Sequence, residues 1–332
     1  METIDRAAPP VGPEKVMEIA AGFMAAKHLF TACELGLFQA LADGPVSIEE
    51  AATRLDLDGD RLRVVADANV ALGFLESGPY GYSNSPVAQT YLSGQSHVDL
   101  SPLLRFWNRF SYPMWTRMEQ TVRTGEANTP DFGALDPETQ RVFSHGVEAI
   151  THPTALGLAA VYDFGRHRHV LDLGGGTGSF LLAILERHPH LNLTLFELPG
   201  AATVARTRLA SQPIDVIAGD MFQDVIPTGQ DVVILANVVH IFGPQRNVEL
   251  LRTVRQSLQP GNRVLLVDFW LDPTRTSPAI GALIGGEFMT ISGEGRSYAA
   301  EEAVDWLTDS CFRFVEQDAL GGPQSLIVGE AV

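Results

Sequence analysis

The residues with the most chemical potential lie between positions 172 and 268. Val170-Leu171-Asp172-Leu173 runs directly into Gly174-Gly175-Gly176-Thr177-Gly178-Ser179-Phe180. An apolar run ending in clustered glycines describes a strand that turns tightly into a helix. Its backbone can approach a ligand closely, and the helix N-terminus offers N–H donors. Nicotinamide and flavin enzymes use such a turn too, but their G-x-G-x-x-G fingerprint needs Gly or Ala at position 179, which is Ser here. Asp172, inside the strand, suits a cofactor bearing an ammonium group better than one bearing pyrophosphate. Glu197, closing the run Leu195-Phe196-Glu197, can accept the hydroxyls of a ribose, a feature that dinucleotide enzymes share. Gly219-Asp220-Met221-Phe222 adds a carboxylate and an apolar Met suited to lie beside an adenine. Each acidic residue alone is equally a strand-end cap. At the ends of successive strands they converge on one nucleoside site.

His240 ends the next apolar run, Ala236-Asn237-Val238-Val239-His240. Histidine titrates near neutrality and can take a proton from an acceptor hydroxyl, although a lone His after an apolar strand is more often structural. Asp268, after the fifth strand, can orient His240 or simply cap that strand. Aromatic and Met side chains are dense from Phe106 to Met118. Such stripes are more often core than ligand wall, yet Trp107, Phe110, Met114, Phe143, Phe288 and Met289 would suit a flat apolar acceptor. No histidine spacing matches a metal site, and no metal is expected.

These residues need elements to hold them. Residues 1–14 are Pro-rich and polar, a flexible arm. Val16 to Leu41 reads as one helix. A second opens at Ser47, with Glu50 three residues on in the capping-box pattern, and a third runs from Arg61 to Leu72. Gly73 to Ser83 then reads as a hairpin. Three helices and a hairpin make a winged-helix pattern over 15–98. The third helix carries Arg61, Arg63 and Asp67 among apolar residues rather than a basic recognition face, which favours dimerisation over DNA binding. Residues 99–165 read as a helical linker and acceptor lid. From 166 to 332 apolar strands alternate with helices, the pattern of a doubly wound α/β sheet covered on both faces. The closing pair, Phe312-Arg313-Phe314-Val315 and Ser325-Leu326-Ile327-Val328, leaves no room for a crossover helix, so one strand must run antiparallel.

The chain has 332 residues, 45% hydrophobic, with 40 acidic against 23 basic residues and a net charge of −17. Nucleic acid and anionic membrane are therefore not expected as partners, because phosphate binding rests on Lys and Arg. The two cysteines, Cys33 and Cys311, sit in no redox or metal spacing and are expected to be buried, consistent with a reducing compartment. No apolar run is seen to approach the ~18 residues a bilayer span needs, and the N-terminus lacks a signal pattern, so a cytoplasmic location is expected.

Residues from about 16 onward resemble the small-molecule O-methyltransferases that include plant caffeate enzymes, acetylserotonin methyltransferases and bacterial natural-product tailoring enzymes. The matching segments are LDLGGGTGSF, LFELPG, GDMF, ANVVH, PGNRVLLVDF and GEGRSY. The resemblance implies a class I, Rossmann-like methyltransferase domain behind a helical winged-helix dimerisation domain, working as a homodimer on a small-molecule acceptor. It implies S-adenosyl-L-methionine bound by Gly174, Gly176, Glu197, Asp220 and Met221, with Thr151 near the methionine moiety and S-adenosyl-L-homocysteine as product. It also makes His240 the base and Asp268 its support. The chain departs from the family at His240-Ile241-Phe242, where His-Asp-Trp is common, and at Gly295, where a second carboxylate is expected; Glu294 is one position away. These departures keep open methylation of carbon, or a relative that retains the cofactor without methyl transfer.

Overall fold

The structure is a computed structural model that describes residues 12–127 and 136–332. Most of the expected N-terminal arm, residues 1–11, lies outside the described residues. Two compact units divide at Asn108 and Arg109.

The first unit opens with α1 (Glu14–Leu35) and α2 (Leu37–Ala40). Val16 to Leu41 is therefore two helices, because Gly36 adopts the left-handed conformation at φ 77° and ends α1. Helix α3 (Ile48–Leu55) starts at Ser47, whose Oγ accepts the Glu50 N–H at 3.1 Å. The other half of the expected capping box is absent, since the Glu50 carboxylate pairs with Arg54 at 2.5 Å. Helix α4 (Gly59–Ala71) is capped by Asp58. Strands β1 (Leu75–Gly78) and β2 (Gly81–Asn84) form the hairpin, with α5 (Pro86–Tyr91) and α6 (Ser101–Phe106) beyond it. The charges of α4 are used internally: Arg63 pairs with Glu49 at 2.9 Å and Asp67 accepts the Tyr82 hydroxyl at 2.5 Å. Val16, Met17, Ile19, Phe23 and Met24 of α1 are exposed. That helix is, among the described residues, the one long and apolar enough by length and composition to cross a membrane. The sequence shows no uncharged run of that length, because Glu18 and Lys27 interrupt the apolar stretch. Cys33 is buried, with its thiol pushed up to about 12 chiefly by burial; Cys311, expected to be buried, is exposed.

In the second unit, α7 (Tyr112–Trp115), α8 (Met118–Thr124) and α9 (Pro137–Val161) precede the sheet. Asp136 caps α9, its Oδ1 accepting the Glu138 and Thr139 N–H groups. Strands and helices then alternate: β3 (His169–Leu173), α10 (Ser179–Arg187), β4 (Asn192–Glu197), α11 (Pro199–Arg208), β5 (Ile214–Ala218), β6 (Gln230–Ala236), α12 (Pro244–Ser257) and β7 (Leu258–Asp268). Helices α13 (Ala279–Ser292) and α14 (Ala300–Asp309) precede β8 (Phe312–Ala319) and β9 (Ser325–Ala331). The seven strands lie in the order β5-β4-β3-β6-β7-β9-β8, all parallel except β9. Successive residues point to opposite faces. Val170, Leu193 and Ile234 join the core under α9, α10 and α11, whereas Leu171, Val233 and Leu266 join the one under α12 and α14. Covering both faces is what lets these strands be apolar throughout.

Candidate active site

The chain winds one way from β3 to β4 and the other way to β6, so the carboxyl ends of β3 and β6 open a crevice at the switch point. The glycine turn follows β3. Gly174 sits at φ 76° and donates its N–H to the Phe196 carbonyl at 2.8 Å. A Cβ there would lie 3.0 Å from Met221 Cε and 3.1 Å from Val238 Cγ2, so only glycine keeps this edge of the crevice open. Glu197, ending β4, holds the turn: Oε2 accepts the Gly176 N–H at 2.9 Å and Oε1 the Leu198 N–H at 2.7 Å. Burial pushes its carboxyl up, and the two N–H groups pull it back.

A cavity of about 290 Å³ opens here. Gly174, Phe196, Glu197, Met221, Phe222, Val238, Phe242 and Arg246 are among its lining residues. Three expected cofactor residues, Gly174, Glu197 and Met221, therefore share one space, and Gly176 is tied to it through Glu197. Asp172 is fully buried beneath the turn, and neither carboxylate oxygen has a hydrogen-bond partner among the described residues. Burial first, and Glu197 second, push it up to about 8. Asp220 caps its own turn, accepting the Phe222 N–H at 2.9 Å and the Gln223 amide at 2.7 Å. The Thr151 hydroxyl donates to the Val147 carbonyl of its own helix at 3.0 Å.

His240 lies in a single 3-10 turn, Val239–Ile241, four residues past the end of β6 rather than at its end. The chain leaves the strand through Asn237, in the left-handed region at φ 58°, whose N–H still bonds the Val267 carbonyl of β7 at 2.9 Å. His240 Nδ1 meets Asp268 Oδ1 at 2.8 Å, and both residues are buried. Asp268 Oδ1 also accepts the Phe269 N–H at 2.8 Å, which fixes the carboxylate at the end of β7. The Phe288 ring stacks on the imidazole with centroids 3.6 Å apart and planes 7° from parallel.

The expected acceptor wall is brought together only in part. Phe110 and Phe143 meet edge to face at 5.4 Å, and Met114 is buried. Met289 instead lines a separate cavity of about 620 Å³ with Met118, Glu294 and Arg296, and Trp107 belongs to the first unit. Gly295 has no room for a carboxylate. A Cβ there would come within 2.4 Å of the His240 carbonyl and 2.9 Å of the Phe288 carbonyl. Glu294 is exposed and shares its cavity with Arg296 rather than with His240.

Several site residues escaped the sequence reading. Phe222, Phe242 and Arg246 meet at one side of this cavity, the two rings edge to face at 4.9 Å and the guanidinium 4.2 Å over the Phe222 ring. Glu287 is buried, accepting the Ser111 hydroxyl at 2.6 Å and the Trp115 indole N–H. A signal for it existed, since it is the one charged residue in the apolar run of α13. Glu148 of α9 pairs with Arg208 at 2.7 Å, and Arg208 reaches Thr177 Oγ1 at 2.6 Å, pinning α9 to the glycine turn.

Residues 119–313 match the O-methyltransferase domain family, and residues 17–94 match the O-methyltransferase dimerisation domain. The chain belongs to the O-methyltransferase family. This methyltransferase is 32% identical to the tetracenomycin polyketide synthesis 8-O-methyl transferase of Streptomyces glaucescens, over 96% of both chains. It is 31% identical to the 3-hydroxy-5-methyl-1-naphthoate 3-O-methyltransferase of Streptomyces sahachiroi, over 90% of this chain and 89% of that one. Its fold matches the crystal structure of human N-acetylserotonin methyltransferase in complex with SAM at a TM-score of 0.88, covering 99% of each chain at 24% identity.

Proposed function

We propose that this enzyme transfers a methyl group from S-adenosylmethionine to a hydroxyl oxygen of an aromatic, polyketide-like small molecule, with His240 as the base. The crevice suits the cofactor's nucleoside: Glu197 supplies acceptors for ribose hydroxyls, and Phe196, Met221, Phe222 and Phe242 supply apolar walls for adenine. Bound there, S-adenosylmethionine supplies an electrophilic methyl on a sulfonium. The names of the two Streptomyces relatives, a polyketide 8-O-methyl transferase and a hydroxynaphthoate 3-O-methyltransferase, agree with an aromatic, polyketide-like acceptor.

The observation that carries the reading is the buried His240–Asp268 pair, flanked by Val238 and Ile241 of the cavity wall. A carboxylate on Nδ1 fixes the proton there, which leaves the Nε2 lone pair free to take the acceptor's hydroxyl proton. As the imidazole becomes positive, Asp268 stabilises it in a site that water barely reaches. Phe288, stacked on the ring, limits its rotation and offers an apolar surface beside the base.

We also read the exposed apolar residues of α1, within the dimerisation-domain match, as contacts with a second copy of the chain. The deciding experiment follows label from methyl-tritiated S-adenosylmethionine into hydroxylated naphthoates and tetracyclic phenols, with products identified by NMR. An O-methyl product with equimolar S-adenosylhomocysteine is expected. Methyl on carbon, or turnover without S-adenosylhomocysteine, would overturn the reading.

A further inference from the structure

At the other end of the sheet from the crevice, three parallel strands begin beside one another. Arg166, His167 and Arg168 lead into β3, Asp231 is the second residue of β6, and Gly261, Asn262 and Arg263 lie in β7. The register places Val170 beside Val232 and Val232 beside Arg263, so these entry segments converge. They line a cavity of about 380 Å³ whose wall contains no aliphatic or aromatic hydrocarbon side chain. We propose that this cavity is a second binding site, one for a phosphoryl group, held by the guanidiniums of Arg166, Arg168 and Arg263.

Charge is the main reason. The chain carries a net charge of −17, yet three arginines gather here. Asp231, Glu330, Asp163 and Glu316 flank the recess, and the last two act on Arg166. Asp231 Oδ2 accepts the backbone N–H groups of Arg168 at 2.6 Å and His169 at 3.0 Å. Glu330 is shared between Arg263 at 2.7 Å and Arg313 at 2.5 Å. Arg263 Nη1 is buried and makes no hydrogen bond among the described residues. His167 is held by the Tyr162 hydroxyl at 3.0 Å, and burial followed by Arg166 pushes it down to about 4. The imidazole is therefore neutral at pH 7, and the positive charge is carried by guanidiniums, whose forked donors match tetrahedral oxyanions. An extended polyanion does not fit a protein with a net charge of −17, but a single phosphate does. The group can come from free phosphate or from the ester of a larger molecule. The site is separate from the methyl-transfer crevice and does not depend on its assignment.

Calorimetric titration in phosphate-free buffer tests this with inorganic phosphate and with phenyl phosphate. The proteins are wild type, Arg168→Met and the Arg166→Met/Arg168→Met double variant, each checked for fold by circular dichroism. Both replaced residues are exposed, so folding should survive. Wild type is expected to bind one equivalent with Kd in the millimolar range or tighter. Arg168→Met should weaken binding roughly tenfold and the double variant abolish it. Phenyl phosphate binding at least as tightly as phosphate would identify an ester ligand, and binding of phosphate alone would identify the free ion. Absence of binding by wild type at about 20 mM, or equal binding by all three proteins, would overturn the proposal.

Discussion

Replacing Asp172 by Asn tests whether the carboxyl under the glycine turn is as isolated as its surroundings indicate. Both its oxygens lack partners among the described residues, it is fully buried, and it is pushed from 3.8 to about 8 by burial first and Glu197 second. The unfolded chain releases this proton near its ordinary value, while the folded chain keeps it to about pH 8. Between those limits the unfolded state binds fewer protons, so stability falls as pH rises and levels off above the folded value. Each unit is worth about 1.4 kcal/mol, so a shift of about four units sets an order-of-magnitude ceiling of ~6 kcal/mol. Roughly half of that, about 3 kcal/mol, develops between about pH 5.5 and pH 8.5. Asparagine has no proton to lose, and the cost of its buried amide is the same at both pH values. Urea unfolding of wild type and Asp172→Asn should therefore diverge, with the variant gaining about 3 kcal/mol relative to wild type at the higher pH. A stability difference between the two proteins that stays constant across this range would show that Asp172 has partners or solvent, and the reasoning would fail.

Three further outcomes follow from the site. His240→Gln should lower kcat by about 10²- to 10⁴-fold with S-adenosylmethionine affinity unchanged by calorimetry, and equal loss of both would indicate a structural histidine. Glu197→Ala removes the acceptor for Gly176 and Leu198 as well as the proposed ribose partner, so it should weaken cofactor binding at least about tenfold; unchanged affinity would remove Glu197 from the site. Gly295→Glu should not restore a second carboxylate beside His240. Its Cβ meets the His240 carbonyl at 2.4 Å, so thermal unfolding should show a loss of about 1–3 kcal/mol, and a stable, faster enzyme would contradict this.

Much of the architecture was legible in the sequence because its signals are local. Apolar runs separated by helical stretches require a covered parallel sheet, and the short connection between Ala319 and Ser325 forces one antiparallel pairing. The glycine cluster and the strand-end Glu197 announce a nucleoside crevice, since both act through the backbone next to them. Where the reading went astray, a local choice had two outcomes. Gly36 broke a helix that composition alone would continue, and Glu50 found Arg54 instead of the cap.

Partnership across the chain was a matter for the tertiary structure. Asp268 could orient His240 or cap its strand. Adjacency of β6 and β7 lets it do both, since Asp268 Oδ1 meets His240 Nδ1 and accepts the Phe269 N–H. The same is true of Glu287, whose partners Ser111 and Trp115 lie more than 170 residues earlier. It is also true of the basic recess, assembled from the starts of three strands. Periodicity tells which face of an element is buried but not which element covers it. That depends on strand order and on the crossovers that bring distant segments together.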